Sequence, residues 1–147
     1  MKLKVRKSRL WKLYNLIFPN ADINTVYIAF GRTIFIPKHG ITQDLMIHEM
    51  THLYQQKHSY FYAWIWWFKY VIDKKFRYSQ ELQAYSKQLK FAYQSFKHKD
   101  RNIAFKQRMQ MKDSVAKTMS HPMYKDMVSY EQARKDIEEF IEKFFNL

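Results

Sequence analysis

The chain contains no cysteine, which excludes a disulfide framework, a thiol nucleophile and every cysteine-ligated metal or iron–sulfur site. Any metal must then be held by His, Asp and Glu. Glycine and proline are almost as scarce, two and three among 147 residues, too few for a collagen, a linker-rich array or a loop-dominated all-β protein. Long, mostly helical elements are expected instead. Acids are outnumbered as well: 13 Asp and Glu face 26 Lys and Arg, a formal charge of +13 that favours acidic partners such as nucleic acid, an anionic membrane or an acidic protein surface. No Gly-rich RNA motif, zinc finger or helix-turn-helix signature accompanies that charge. Long apolar runs are missing too. The most apolar stretch, residues 60–72 (YFYAWIWWFKYVI), falls short of the roughly 20 apolar residues of a spanning helix and is interrupted by Lys69. It reads as a buried helix and not as a transmembrane segment, with a bilayer-surface position for Trp64, Trp66 and Trp67 as the alternative.

What is present describes one domain over residues 1–147, with hydrophobic side chains at 47% and charged ones at 27%. Lys2, Lys4, Arg6, Lys7, Arg9 and Lys12 make a basic N-terminal arm over about residues 1–12, with no acid among them. The apolar residues that follow are broken by Lys12 and Asn15 and lead to no small-residue cleavage site, so no secretion signal is expected. Leu10, Leu13, Tyr14 and Ile17 recur at helical spacing and predict a short amphipathic helix. Residues 25–37 (TVYIAFGRTIFIP) are two β-branched and aromatic runs split by Gly31-Arg32, the chemistry of a tight hairpin and the main strand signal. Thr42 is placed to cap a helix over about residues 43–56 with Asp44 in its first turn. After the aromatic helix, Leu82, Tyr85, Leu89, Tyr93 and Phe96 predict another over about 79–96. His121-Pro122 marks a break, and Ser129-Tyr-Glu-Gln132 is a capping box opening a helix whose stripe is Ala133, Ile137, Phe140, Ile141 and Phe144. The expected class is α+β, predominantly α-helical.

The chemistry concentrates in His48-Glu49-Met50-Thr51-His52, an H-E-x-x-H pattern inside the helix after Thr42. The chain's own His and Glu frequencies make this an accident expected only about 0.01 times. Residues four apart on a helix stack one turn above each other, so the two imidazoles can grip one Zn²⁺, while Glu49 can take a proton from a water that the metal polarises. A catalytic zinc needs a further protein ligand, and two candidates exist. His58 gives HEMTHLYQQKH the outline of the metzincin motif, except that Gln55 stands where that motif turns on glycine. Glu81, 29 residues beyond His52, is followed one turn later by the small Ala84, which would let two helices approach.

On HEMTHLYQQ, the aromatic connecting helix and RYSQELQAY, about residues 25 to 95, the chain resembles the gluzincin metallopeptidases, and more closely the minimal single-domain metallopeptidases of tailed bacteriophages. The resemblance implies a zincin-like domain in which His48, His52 and Glu81 bind one zinc and Glu49 is the catalytic base. It also implies a peptide or protein substrate, held by the hairpin strand over residues 33–36 through edge-strand pairing. Location in the host cytoplasm or in the virion follows from it. The oxyanion donor is sought among Tyr78, Tyr85, Arg77 and His121, and Gln55 and Gln56 are candidates to orient the histidines. The expected function is zinc-dependent peptide-bond hydrolysis. The alternative is a non-catalytic virion or assembly component with a structural zinc, its basic surface facing DNA or neighbouring subunits. A third reading, a membrane or nucleic-acid binder, rests on charge and tryptophan alone.

Overall fold

The structure, a computed structural model, describes residues 1–5, 9–19, 22, 25–124 and 127–145. Strand β1 (Lys2–Val5) and helix α1 (Arg9–Ile17) precede a hairpin of β2 (Ile28–Phe30) and β3 (Thr33–Ile36). Helices α2 (Gln43–Gln55), α3 (Tyr60–Ile72), α4 (Lys74–Ser95) and α5 (Arg101–Met119) follow, then a short 3₁₀ turn over Pro122–Tyr124 and α6 (Tyr130–Phe145). Helices predominate over one small sheet, as the composition predicts. Among the described residues, none of the helices is long and apolar enough to cross a membrane.

The hairpin turns where expected. Gly31 has φ 61°, the left-handed region that glycine enters without a Cβ penalty, and a Cβ there would collide with the Tyr60 ring. Two expectations fail around it. The segment Lys2-Leu-Lys-Val5 forms a strand and not a loose arm, pairing in parallel with β3 from Lys2 opposite Thr33 to Val5 opposite Ile36. Its charge hid a period-2 alternation of polar and apolar residues. Arg6 and Lys7 of the arm, and the side chains of Leu10 and Leu13 of the predicted stripe, lie outside the described residues, while Tyr14 is buried. The second failure follows from the first. With strand order β1-β3-β2, β3 is central and both its edges are paired, so it has no free edge to offer a peptide.

Side-chain caps set several helix starts. Asp73 accepts from the Phe76 amide and begins α4 at Lys74, about a turn earlier than its apolar stripe suggests. Asp100 accepts from the Asn102 and Ile103 amides at the start of α5. Ser129 accepts from Gln132 N, the expected half of the capping box. Thr42 occupies the cap position of α2, but its hydroxyl donates to Asp44 Oδ1 at 2.5 Å instead of accepting from the helix.

Among the described residues, three apolar groups form the interior. Tyr85, Leu89 and Tyr93 of α4 pack on Val115, Ala116 and Met119 of α5 and on Ala133 and Ile137 of α6. Ala29, Ile34 and Ile36 of the sheet meet Leu53 of α2, and Tyr14, Phe18, Val26 and Ile28 meet Trp66 and Tyr70 of α3. The aromatic helix is not buried as expected. Ala63, Trp66 and Tyr70 face inward, while the opposite side is open to solvent.

Candidate metal centre

Helix α2 presents His48 and His52 one turn apart, and both are buried although they are polar. Glu81 faces them from α4, two turns inside that helix and 2% exposed, so it is not a first-turn acid complementing a helix dipole. Ala84, one turn on, is fully buried where the two helices approach. The consequence is a compact donor set. His48 Nε2 lies 3.0 Å from His52 Nε2, and Glu81 contributes Oε2 at 3.4 Å from the first and Oε1 at 3.3 Å from the second. Among the described residues, His48, His52 and Glu81 can offer one ligand atom each, all within 4.8 Å of one another. Ligand atoms about 2 Å from one tetrahedral ion stand roughly 3.3 Å apart, so the spacing fits a single metal ion shared by the three residues.

Polar bookkeeping points the same way. Glu81 Oε2 is buried without a hydrogen-bond partner, 3.4 Å from His48 Nε2, and a buried carboxylate oxygen left without one is costly unless a cation meets it. Glu81 Oε1 accepts from the Tyr70 hydroxyl at 2.6 Å. Burial works against a charged carboxylate, but the adjacent His52 and His48 outweigh it and hold Glu81 well below the usual range. His52 goes the other way. Burial lowers its pKa, yet the Glu81 carboxylate dominates and raises it. Its Nδ1 lies 2.8 Å from Gln55 Oε1, and the Gln55 amide donates to Gln80 O and Gln83 Oε1 of α4. Gln55 therefore orients a histidine, as expected. Gln56 does not. It is fully buried, accepts from the Gly31 amide at 2.7 Å and donates to Ala29 O at 3.1 Å, tying the hairpin to the end of α2.

Beside the donor set lies a cavity of about 380 Å³, with Glu49 in its wall next to the two histidines. Burial raises the Glu49 pKa, the two imidazoles lower it, and burial prevails. Residues Val26 to Ala29 form the strand-side wall, so the strand bordering the cavity is β2. Of the expected oxyanion donors only Tyr85 is there, its ring 4.3 Å from that of His48. Tyr78 donates to Asp136 of α6. Arg77 is buried against the end of α3, donating to Tyr70 O and Val71 O. His121 is exposed and accepts from the Met123 amide. His58 is exposed as well, with φ 49°, and lies outside the donor set.

The far wall has no counterpart among the sequence motifs. Ser114, Val115 and Thr118 of α5 and Met123 and Tyr124 after it close the cavity, and the Tyr124 hydroxyl lies 3.5 Å from that of Tyr85. Only the apolar pattern of α5 hints at this, because a tyrosine after a helix break carries no spacing signal. No family model, no curated protein and no solved structure matches the chain.

Proposed function

We propose that the chain is a zinc-dependent peptidase of gluzincin type, with a zincin-like fold and Glu49 as general base. The observation that carries this reading is the convergence of His48, His52 and Glu81 on one buried point beside Glu49 and a cavity. When bound there, zinc would polarise a peptide carbonyl and make a neighbouring water acidic. Glu49 takes the proton of that water as it adds to the carbonyl, then delivers it to the leaving amine. The hydroxyls of Tyr85 and Tyr124 stay protonated, because burial raises both, and so can donate to the oxygen that becomes negative. Residues Val26 to Ala29 are the wall along which an extended peptide would run.

The competing reading, a structural zinc clasp in a virion or assembly component, draws on the near-complete burial of all three ligands. One experiment separates the two. Purified protein should carry about one zinc per chain, and Glu49→Gln should keep that zinc while lowering peptide cleavage by about 10²-fold or more. Cleavage that survives the substitution removes Glu49 from the mechanism. Full zinc occupancy with no turnover of a broad peptide library supports the clasp.

A further inference from the structure

We infer that the outward face of α3 docks on an anionic lipid bilayer. Phe61 (71% exposed), Trp64 (55%), Ile65 (43%), Phe68 (66%) and Ile72 (62%) recur at intervals of three and four residues. On a helix that spacing is one stripe roughly 100° wide, here running the length of an element about 20 Å long. It lies opposite Ala63, Trp66 and Tyr70, which face the core. Five large apolar side chains in one exposed row form a patch of the kind that marks an interaction site.

Charge selects the occupant. No acid occurs between Glu49 and Asp73, whereas Arg32 and Lys57 lie at the N-terminal end of α3 and Lys69, Lys74 and Lys75 at its C-terminal end, all exposed. Arg32 Nε donates to His58 O, and the Lys57 ammonium sits 4.3 Å over the Tyr62 ring, which fixes both cations beside the stripe. A second copy of a chain carrying +13 would repel the first, while an anionic headgroup layer attracts it. Tyr60, Tyr62 and Trp64 add amphipathic rings of the type that collect at headgroup depth. Behind the stripe, an apolar crevice of about 230 Å³ opens between α1, β2 and α3, lined by Ile17, Ile28, Phe30, Trp64, Phe68 and Val71. Its apolar and aromatic lining suits a lipid acyl segment. The helix thus lies in the interface plane with its inner face still on the protein core. This inference is independent of zinc, because the stripe turns away from the metal centre.

The test uses the full chain and vesicles of phosphatidylcholine with or without phosphatidylglycerol. The absence of cysteine lets Ile65→Cys carry a single environment-sensitive dye, with Lys135→Cys on α6 as the reference position. Binding should require phosphatidylglycerol and weaken between about 0.05 M and about 0.5 M salt. The dye at position 65 should shift to the blue on vesicles while the dye at 135 does not. Trp64→Ser with Phe68→Ser should weaken partitioning at least about tenfold, and Lys69→Glu with Lys75→Glu should do so with the apolar stripe intact. Because all four side chains are exposed, circular dichroism should stay unchanged. Folded wild type that ignores phosphatidylglycerol vesicles overturns the inference, as does binding that both double variants leave intact. A concentration-dependent dimer abolished by the Trp64/Phe68 pair would assign the face to a second copy.

Discussion

Single side chains carry most of the chemical meaning here, and they were unequally readable. His48, Glu49 and His52 are legible because helical geometry converts their spacing directly into proximity. Glu81 is less sharply legible, since 29 residues and a whole helix separate it from His52; the small Ala84 one turn on marks it as a candidate beside His58, and the resemblance favours it. Tyr70 and Tyr124 could not be read at all, because they reach the centre through packing between elements distant in sequence. Tyr70 nevertheless makes the hydrogen bond that fixes Glu81 Oε1. Groups that orient metal ligands typically change affinity 10- to 100-fold when removed. Tyr70→Phe keeps the ring stacked on Trp66, 4.7 Å away, and deletes only the hydroxyl. Zinc affinity measured against a competing chelator should therefore fall about 10- to 100-fold, with little change in the circular dichroism of the metal-free protein. Unchanged affinity would mean that packing alone positions Glu81.

At the scale of elements, apolar periodicity locates the helices, but polar side chains decide where they begin and what they hold. Asp73 starts α4 earlier than its stripe suggests, and the alternation in β1 was masked by its lysines. Asp44 does more than complement the α2 dipole. It accepts from Thr42 Oγ1 and from Gln88 Nε2 of α4, bracing the two helices that carry His48, His52 and Glu81. Partial burial raises its pKa, but the bonds from Thr42 and Gln88 and from backbone amides outweigh that and hold it below the ordinary value. A carboxyl depressed in the folded state stabilises above its unfolded pKa, about 3.9 for Asp, and that contribution disappears as pH falls through the folded value. Asp44→Ala should cost about 1 kcal/mol near neutral pH, the full value of charged hydrogen bonds being discounted for solvent screening. In urea titrations the gap between wild type and variant should hold constant down to about pH 5 and narrow below that as pH falls through the folded value. A gap that stays constant would show that Asp44 acts as a neutral packing group.

For the whole molecule, the candidate metal centre and the core are one construction. His48, His52 and Glu81 come from two helices, α2 and α4, and the described residues after Phe96 supply both the far cavity wall and the α5–α6 half of the interior. Such a terminal region looks dispensable in sequence, because its contribution is a surface and not a pattern. A ligand that binds only the folded chain stabilises it by mass action, about 2.7 kcal/mol at a free concentration 100 times its Kd. For a domain of this length, 1 kcal/mol moves the melting temperature by roughly 2–4 °C. Zinc at that excess over a chelated sample should thus raise Tm by about 5–10 °C. Glu81→Ala, at the same zinc concentration, should lose most of that shift even though it removes no apolar contact from the core. The variant also relieves a buried carboxylate, so its metal-free Tm need not drop, and only the zinc-dependent increment is diagnostic. Scanning calorimetry that finds equal increments for wild type and Glu81→Ala would mean that zinc binds elsewhere on the chain, and the two-helix donor set would lose its place in the mechanism.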